Sequence, residues 1–288
     1  MARRRPATVH GLAVVDKPAG ITSHDVVAML RRRLGERRVG HAGTLDPSAT
    51  GVLVVGVGSV TRLLRYVGDG RKRYVGEVVL GVETDSLDAD GVVVAAHDMP
   101  AVTAEEAQRV VDAHLVGAIA QIPPMVSAIR VDGKRLHELA REGIEVDRRP
   151  RPVTVDRFTV AATDDPAVLA IDVTCSGGTY VRTLAADLGH LLGGGAHLRN
   201  LRRTAVGPYT LAEAASPDEC ALLAPIEAVR GMPLVVVDDE VAALIANGRV
   251  LDAPDGTGPW AMVAPDDRLL AVYEPFREGQ AKPAVVLA

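Results

Sequence analysis

The 288-residue sequence has few aromatic side chains: two Phe, one Trp and five Tyr. Hydrophobic residues nevertheless make up 48% of the chain, so its core must be built mainly from Val, Leu, Ala and Ile. Each tyrosine therefore invites the question of whether it packs or binds a ligand. Two cysteines, Cys175 and Cys220, are too few for a disulfide framework or a cysteine metal site. This favours a reduced, cytoplasmic protein.

Several patterns typical of membrane and cofactor proteins are also missing. No run of about 18 apolar residues predicts a membrane span, and the basic start MARRRPATVHGLAVV lacks the apolar region and cleavage site of a signal peptide. No G-x-x-x-x-G-K-[ST] motif predicts nucleotide binding, and no G-x-S-x-G motif predicts a hydrolase. The eight histidines have no metal-ligand spacing. We therefore expect an enzyme or binding protein without metal or cofactor.

Charge is distributed unevenly along the chain. The net charge is −5, yet residues 1–74 hold 14 Lys/Arg against 5 Asp/Glu, whereas residues 231–288 hold four against nine. Phosphate binding depends on the local field rather than on net charge. A single basic cluster is usually a solvated surface, but several beside Gly-rich segments favour an RNA-binding surface. The five clusters are Arg3–Arg5, Arg31–Arg33 with Arg37 and Arg38, Arg71–Arg73, Arg148–Arg151, and Arg199 with Arg202 and Arg203.

Local patterns predict an α+β chain with a mixed, mostly antiparallel sheet. Residues 36–51 are predicted to be a long loop, and DSLDADG (85–91) a turn. Glycine and proline between 225 and 233 predict a boundary between a large domain, 1–230, and a small β-rich domain, 231–288. A proline-interrupted arm is predicted at about 121–151. Strands are predicted at 11–18, 52–57, 73–84, 153–162 and 168–175, and helices at about 22–34, 59–67, 103–117 and from 179 onwards.

The segment GHAGTLDPSATG (40–51) surrounds one acidic residue, Asp46, with three glycines and a proline. A carboxylate on a loop braced in this way can be presented to a ligand that approaches the backbone closely. The alternative is an Asx-turn, in which Asp-Pro simply starts a turn. For an Asp-Pro pair in an arbitrary loop, the turn is the more common outcome.

The chain resembles the bacterial tRNA pseudouridine-55 synthase family over about residues 11–210. The resemblance implies the pseudouridine synthase fold and cofactor-free isomerisation of the T-loop uridine, position 55, of tRNA. After about residue 230 it thins, and the acidic tail is either a reduced PUA-like RNA-binding domain or a small β cap. The matching motifs, in the family order, are LAVVDKPAGITSHD, GHAGTLDPSATG, KRYVGEVVLGVETDSLDADG, QIPPMVSAIRVDGKRLHELAREGIEV and CSGGTYVRTLAADLGHLLGGGAHLRNLRRTAVG.

The resemblance also implies roles for individual residues. Asp46 is the attacking carboxylate, acting on the base or at C1′ of the ribose, and Arg182 pairs with it and keeps it ionised. Tyr74 stacks on the target base, and Tyr180 lies at the mouth of the helix that carries Arg182. Without the resemblance, Arg182 would be interpreted as a helix-surface arginine and both tyrosines as packing residues.

Extrusion of the target base is required because its reacting atoms are not accessible inside a folded RNA loop. The resemblance implies that His41 takes the vacated position and that Leu201 packs against the flipped base. Lys17 is expected near the site, where it could contact phosphate. The arm at 121–151 is expected to grip the T-arm of tRNA. We expect a monomer that acts in the cytoplasm without an obligatory protein partner. The alternatives are a guide-RNA-dependent relative and a non-catalytic tRNA-binding protein.

Overall fold

The computed structural model describes residues 7–68, 70–127, 130–131, 134–135, 144 and 146–287. They form two compact units. The first takes in the described parts of 1–47, 52–69 and 206–288, and the second those of 48–51 and 70–205. Within these residues, no helix has the length and hydrophobicity needed to cross a lipid bilayer. Part of the predicted arm at 121–151, namely residues 128–129, 132–133, 136–143 and 145, lies outside the described residues.

The described elements are short helices and many strands. The α-helices are α1 (Ser23–Leu34), α2 (Leu64–Gly68), α3 (Ala104–His114), α4 (Val181–Leu191) and α5 (Asp239–Ala246), and 3-10 turns lie at Gly58–Arg62 and Pro225–Val229. The strands are β1 (Gly11–Lys17), β2 (Val39–Ala42), β3 (Thr50–Val57), β4 (Lys72–Leu80), β5 (Val82–Thr84), β6 (Val93–Ala96), β7 (Gly117–Gln121), β8 (Arg130–Val131), β9 (Lys134–Arg135), β10 (Arg151–Ala162), β11 (Val168–Cys175), β12 (Ala196–Val206), β13 (Tyr209–Thr210), β14 (Leu234–Val236), β15 (Leu251–Asp252), β16 (Trp260–Val263), β17 (Leu269–Pro275) and β18 (Gln280–Val286).

In the first unit, helix α1 begins and ends as its sequence predicts. The Thr22 hydroxyl accepts from the Asp25 N–H, and the Asp25 carboxylate accepts from the Thr22 N–H, which completes a capping box. Gly35 ends the helix with φ 63°, a left-handed conformation that glycine adopts without steric cost. The Asp25 pKa is lowered, chiefly by its hydrogen bonds to Thr22.

The prediction of a loop throughout 36–51 is wrong for its first part. Strand β2 lies within this range and pairs antiparallel with β3, with His41 opposite Val55. The sequence of β2, VGHA, has weak strand propensity, so the pairing with the apolar β3 decides its conformation. The residues 43–49 between the two strands form the actual loop and carry Asp46.

The C-terminal strands belong to the same unit as the N-terminal ones. They form a five-stranded sheet in the order β14-β16-β17-β18-β15, in which β14 runs parallel to β16 and the other pairs are antiparallel. One hydrophobic cluster contains side chains of β1 and β3 together with side chains of β16, β17 and β18. The C-terminal sheet therefore shares a core with the N-terminal strands, and the boundary near residue 230 remains a prediction.

The second unit is built on strands in the order β12-β4-β11-β10-β7. The pairs β4–β11, β11–β10 and β10–β7 are antiparallel, and Thr50 and Gly51 run parallel to Arg202 and Arg203 of β12. Helix α3 packs on β10 and on α4. The predicted α+β class with a mixed, mostly antiparallel sheet is confirmed.

Candidate active site

Asp46 lies on a segment whose backbone is held on both sides. On one side, the buried Ser23 hydroxyl bonds both main-chain groups of Leu45: it accepts from the N–H at 2.9 Å and donates to the carbonyl at 3.1 Å. On the other side, the Pro47 carbonyl accepts from the Gly20 N–H at 2.9 Å. Asp46 itself is half-buried. The position of its backbone is therefore set by contacts of its two neighbours.

Lys17 reinforces the same segment from the end of β1. Its side chain is 0% exposed, and its ammonium donates to three carbonyl oxygens, those of Pro18 at 2.8 Å, Ile21 at 2.7 Å and Pro47 at 3.1 Å. Because a buried ammonium requires acceptors for its hydrogens, these bonds compensate the cost of burial. The geometry favours a role in holding the Asp46 segment over the phosphate contact expected from the sequence.

His41 lies on β2, where its half-buried side chain lines an open cleft of the first unit. Arg31, Arg37 and Arg38 line the same cleft. The sequence motif places His41 five residues before Asp46, but it does not indicate these arginine neighbours. They come from α1 and from the turn that leads into β2.

Arg182 is the second residue of α4 and is only 4% exposed, so it is not a helix-surface arginine. One terminal nitrogen, Nη1, donates to the Ser86 carbonyl at 2.5 Å, and the other, Nη2, donates to the Val126 carbonyl at 2.8 Å. Nη1 also lies 3.6 Å from Oδ2 of Asp88. The planar guanidinium suits this use because its donors have fixed directions.

The turn that receives Arg182 is itself tied by hydrogen bonds. The Asp88 carboxylate accepts from the Ser86 hydroxyl at 2.6 Å and from the Asp90 N–H at 3.1 Å, and the Asp88 carbonyl accepts from the Thr84 hydroxyl at 2.7 Å. The sequence indicated a turn here but assigned it no role at the site. What indicated a functional role for this turn was the family motif KRYVGEVVLGVETDSLDADG, whose last residues form it.

The two candidate tyrosines occupy different environments. Tyr74, on β4, lies opposite Val173 of β11 and is 7% exposed, so the sheet and its core restrict the ring on most sides. Tyr180 precedes α4 and is half-buried. Its N–H donates to Oε1 of Gln121 at 3.0 Å, and its carbonyl accepts from Nε2 of the same side chain at 3.2 Å. Gln121 therefore fixes the backbone that leads into Arg182.

Leu201 is half-buried on β12, directly after Asn200, which has φ 54°. Further along the strand, the side chain of Arg203 is 1% exposed. It is therefore not the solvated surface arginine that a basic cluster usually indicates. Gly51 lies beside Arg203, and a Cβ on Gly51, whose φ is 104°, would collide with the Arg203 backbone. Glycine at this position of the motif therefore permits the close pairing of β3 and β12.

Most described arginines of the expected RNA-binding clusters have protein partners. Nε of Arg71 lies 2.9 Å from Oδ2 of Asp156, and Nη2 of Arg73 lies 2.6 Å from Oδ2 of Asp172. The hydrogen bond from Arg73 lowers the Asp172 pKa against the opposing effect of burial. Elsewhere on the unit, Arg199 pairs with Glu77 at 2.7 Å. These ion pairs favour a structural role for the Arg71–Arg73 cluster over phosphate binding.

The candidate residues fall into both units. Lys17, His41 and Asp46 belong to the first, and Tyr74, Tyr180, Arg182 and Leu201 to the second. Within the first unit, Lys17 and Asp46 are brought together by the Pro47 carbonyl. The pairing of Asp46 with Arg182 remains a prediction.

Two solved structures share the fold of this chain. One is an H/ACA RNP bound to a substrate RNA containing 2'-deoxyuridine, with a TM-score of 0.72 and 22% identity over 96% of this chain and 85% of the other. The second is a Cbf5-Nop10-Gar1 complex, with a TM-score of 0.70 and 24% identity over 96% of this chain and 83% of the other. At these identities the likeness concerns the fold.

Sequence comparisons place the chain among the pseudouridine synthases. Three family models match it: TruB family pseudouridylate synthase (N terminal domain) over residues 31–181, tRNA pseudouridylate synthase B C-terminal domain over 182–224, and tRNA Pseudouridine synthase II, C terminal, over 232–288. A relative from Arthrobacter sp. (strain FB24), named tRNA pseudouridine synthase B, is 46% identical over 96% of both chains. A relative of the same name from Thermobifida fusca (strain YX) is 46% identical over 96% of this chain and 98% of its own. Within that class, the chain belongs to the TruB family.

Proposed function

We propose that this TruB family protein converts the T-loop uridine at position 55 of tRNA into pseudouridine, with Asp46 as the attacking carboxylate. The observation that carries the proposal is the hold on the Asp46 segment. Ser23 fixes Leu45 on one side, and Gly20 and Lys17 fix Pro47 on the other. A carboxylate on a backbone fixed at both neighbours meets a substrate atom without first having to be ordered.

The reaction requires one carboxylate and neither an oxidant nor a reductant. The bond between C1′ and N1 of the uridine breaks, and a bond between C1′ and C5 forms. The C5 proton is lost and N1 takes up a proton, so nothing is oxidised and no group is added. Asp46 acts as an ionised nucleophile, on the base or at C1′, and an adjacent guanidinium favours its charged form. We assign that guanidinium to Arg182.

The other candidate residues bind the extruded nucleotide. Tyr74 stacks on the target base, an interaction of about 1–3 kcal/mol per base, and Leu201 packs against the flipped base. His41 takes the position that the base leaves, and Tyr180 lies beside the entry to the site. Lys17 supports the Asp46 segment. The protein acts as a monomer in the cytoplasm, without metal, cofactor or obligatory protein partner.

The direct test is to incubate the purified protein with an unmodified tRNA transcript in the presence of a chelator. We expect one pseudouridine per tRNA, at position 55, as mapped by chemical derivatisation and primer extension. Loss of the reaction on chelation would contradict the cofactor-free mechanism. Asp46→Asn should abolish turnover and leave tRNA affinity nearly intact. If binding fell as much as turnover, Asp46 would be a structural turn residue.

A second candidate is a guide-dependent enzyme that acts on other RNAs. The fold is shared with the H/ACA RNP and Cbf5-Nop10-Gar1 structures, which gives this alternative its basis. The relatives at 46% identity, which carry the name tRNA pseudouridine synthase B, favour the stand-alone tRNA enzyme. The assay above separates the two, since a guide-dependent enzyme would leave the isolated transcript unmodified.

A further inference from the structure

The cleft that His41 lines has a volume of about 1030 Å³ and lies entirely within the first unit. We call it the His41 cleft. One wall is the turn between α1 and β2, residues 35–38, and Arg31 of α1 also lines the cleft. The remaining lining residues are Ala7, Thr8, Val39, Gly40, Thr61 and Leu64.

The shape of this turn is held by a buried carboxylate. Glu36 is 7% exposed, and its two oxygens accept from the N–H groups of Arg38 at 2.8 Å and Thr8 at 3.0 Å. The hydrogen bond from the Arg38 N–H contributes most to lowering the Glu36 pKa, which keeps the carboxylate ionised. Its charge is thus directed at main-chain donors of the turn and of the segment that precedes β1.

Arg31 holds the same turn from the helix. Its Nε donates to the Arg37 carbonyl at 3.1 Å, and its Nη2 donates to the Val39 carbonyl at 3.0 Å. Arg31 and Glu36 thus both bond main-chain groups. Because the backbone is tied at several points, the directions in which Arg37 and Arg38 leave it are set before any ligand arrives.

Arg37 and Arg38 differ from most other arginines of the basic clusters. Both are exposed, and within the described part of the chain neither guanidinium has an ion pair or a hydrogen bond. The charged side chains that line the cleft are three arginines and Glu36, which leaves two positive charges in excess. A rigid turn that presents two unpaired guanidinium groups beside a cleft suits two phosphate groups.

We propose that the His41 cleft binds the RNA backbone, with Arg37 and Arg38 each contacting a phosphate close to the target nucleotide. The inference rests on the proposed function, because His41 there takes the position vacated by the extruded uridine. Arg37 and Arg38 then hold the strand from which the base has left. The phosphate contacts would secure the register of the loop during extrusion, and they would be independent of base identity.

The test is the salt dependence of tRNA binding by Arg37→Ala/Arg38→Ala. The slope of log Kd against log salt should fall by about 0.7–0.9 for each phosphate that the variant no longer contacts. KM should rise, and kcat should change little. The control is Arg109→Ala/Arg157→Ala, which removes two exposed arginines that lie outside the cleft, outside the basic clusters and outside residues 231–288. An unchanged slope in the first variant, or an equal change in the control, would overturn the proposal.

The position of the contacts can be tested with modified RNA. Methylphosphonates at the two phosphates flanking the target uridine remove their charge. They should weaken binding to the wild-type protein and cause little further weakening with Arg37→Ala/Arg38→Ala, since removing both partners of one interaction has a non-additive effect. Fully additive effects would place these arginines elsewhere on the RNA and contradict the proposal. Failure of the proposed function is distinguishable, because wild-type protein would then bind tRNA without forming pseudouridine.

Discussion

The Asp46 segment and the surroundings of Arg182 are each stabilised by hydrogen bonds, but in opposite ways. In the first unit, the contacts that fix the backbone belong to Leu45 and Pro47, the neighbours of Asp46. In the second, the guanidinium of Arg182 itself bonds two main-chain carbonyls from separate segments. The difference separates two kinds of site residue. The backbone around Asp46 is held through its neighbours, whereas removal of the Arg182 side chain leaves the carbonyls of Ser86 and Val126 without this donor.

The largest effect is therefore expected for Arg182→Met. Each of the carbonyls of Ser86 and Val126 loses its donor, at a cost of about 1–3 kcal/mol per unsatisfied buried group. The free energy of unfolding should fall by the sum, and pseudouridine formation should become undetectable. Denaturant-induced unfolding measures the loss of stability, and the tRNA assay measures the loss of turnover.

Arg182→Lys is the informative control for that variant. It keeps the positive charge, but a single ammonium cannot reproduce the forked geometry that reaches both carbonyls. We expect partial recovery of stability and little recovery of turnover. If Arg182→Met had the same free energy of unfolding as the wild type, the two hydrogen bonds from Arg182 to carbonyls would be dispensable. The contrast with the Asp46 segment would then be wrong.

Lys17→Met should have the next largest effect on turnover, although more carbonyls lose a donor than in Arg182→Met. It removes a buried ammonium that three carbonyls share, including that of Pro47, and each acceptor left unsatisfied costs about 1–3 kcal/mol. Because the Asp46 segment loses one of its ties, kcat should fall by up to about 10²-fold. The salt dependence of tRNA binding should stay as in the wild type. A reduced salt slope would instead support the phosphate contact expected from the sequence.

The elements that the sequence predicted well depend on local contacts. Helices α1 and α3 begin at threonines that complete capping boxes with Asp25 and Glu106, both within four residues of the cap. Such signals can be read along the chain. Strand β2 was missed because VGHA has no strand pattern of its own, and its conformation depends on pairing with β3.

Side-chain roles were harder to predict because burial and partners depend on distant segments. The motif identified Arg182 but could not show that it bonds Ser86, which is 96 residues away in sequence. Lys17 and the Arg71–Arg73 cluster were both expected at phosphates, yet the structure gives Lys17 three carbonyls and Arg73 a carboxylate. A cation in a sequence motif thus indicates a site without revealing what it bonds.

A smaller effect is expected for Ser23→Ala, which removes the hydroxyl that bonds both main-chain groups of Leu45. Stability should fall by about 1–3 kcal/mol for each of the two buried main-chain groups that loses its partner. Turnover should fall while tRNA affinity is retained. The neighbouring change Thr22→Ala removes the cap of α1, at a cost of about 1 kcal/mol, and leaves Leu45 untouched. If both variants lost turnover in proportion to stability, the hold on Leu45 would have no specific role.

The smallest effect is expected for the ion pairs of the second unit, where Asp172 bonds Arg73 at 2.6 Å and Arg157 at 2.7 Å. The hydrogen bond from Arg73 is the main reason that the Asp172 pKa lies below its ordinary value of 3.8; burial opposes it and Arg157 adds to it. A carboxyl with a lowered pKa in the folded state stabilises the protein above its unfolded pKa, and this contribution is lost as the pH falls through the folded pKa. Asp172→Asn should therefore cost about 1 kcal/mol or less at pH 7, and the difference from wild type should shrink as the pH falls below 3.8. Urea melts across this range would show it. A cost as large as that of Arg182→Met would mean that exposed ion pairs, and not buried bonds to carbonyls, hold this unit together.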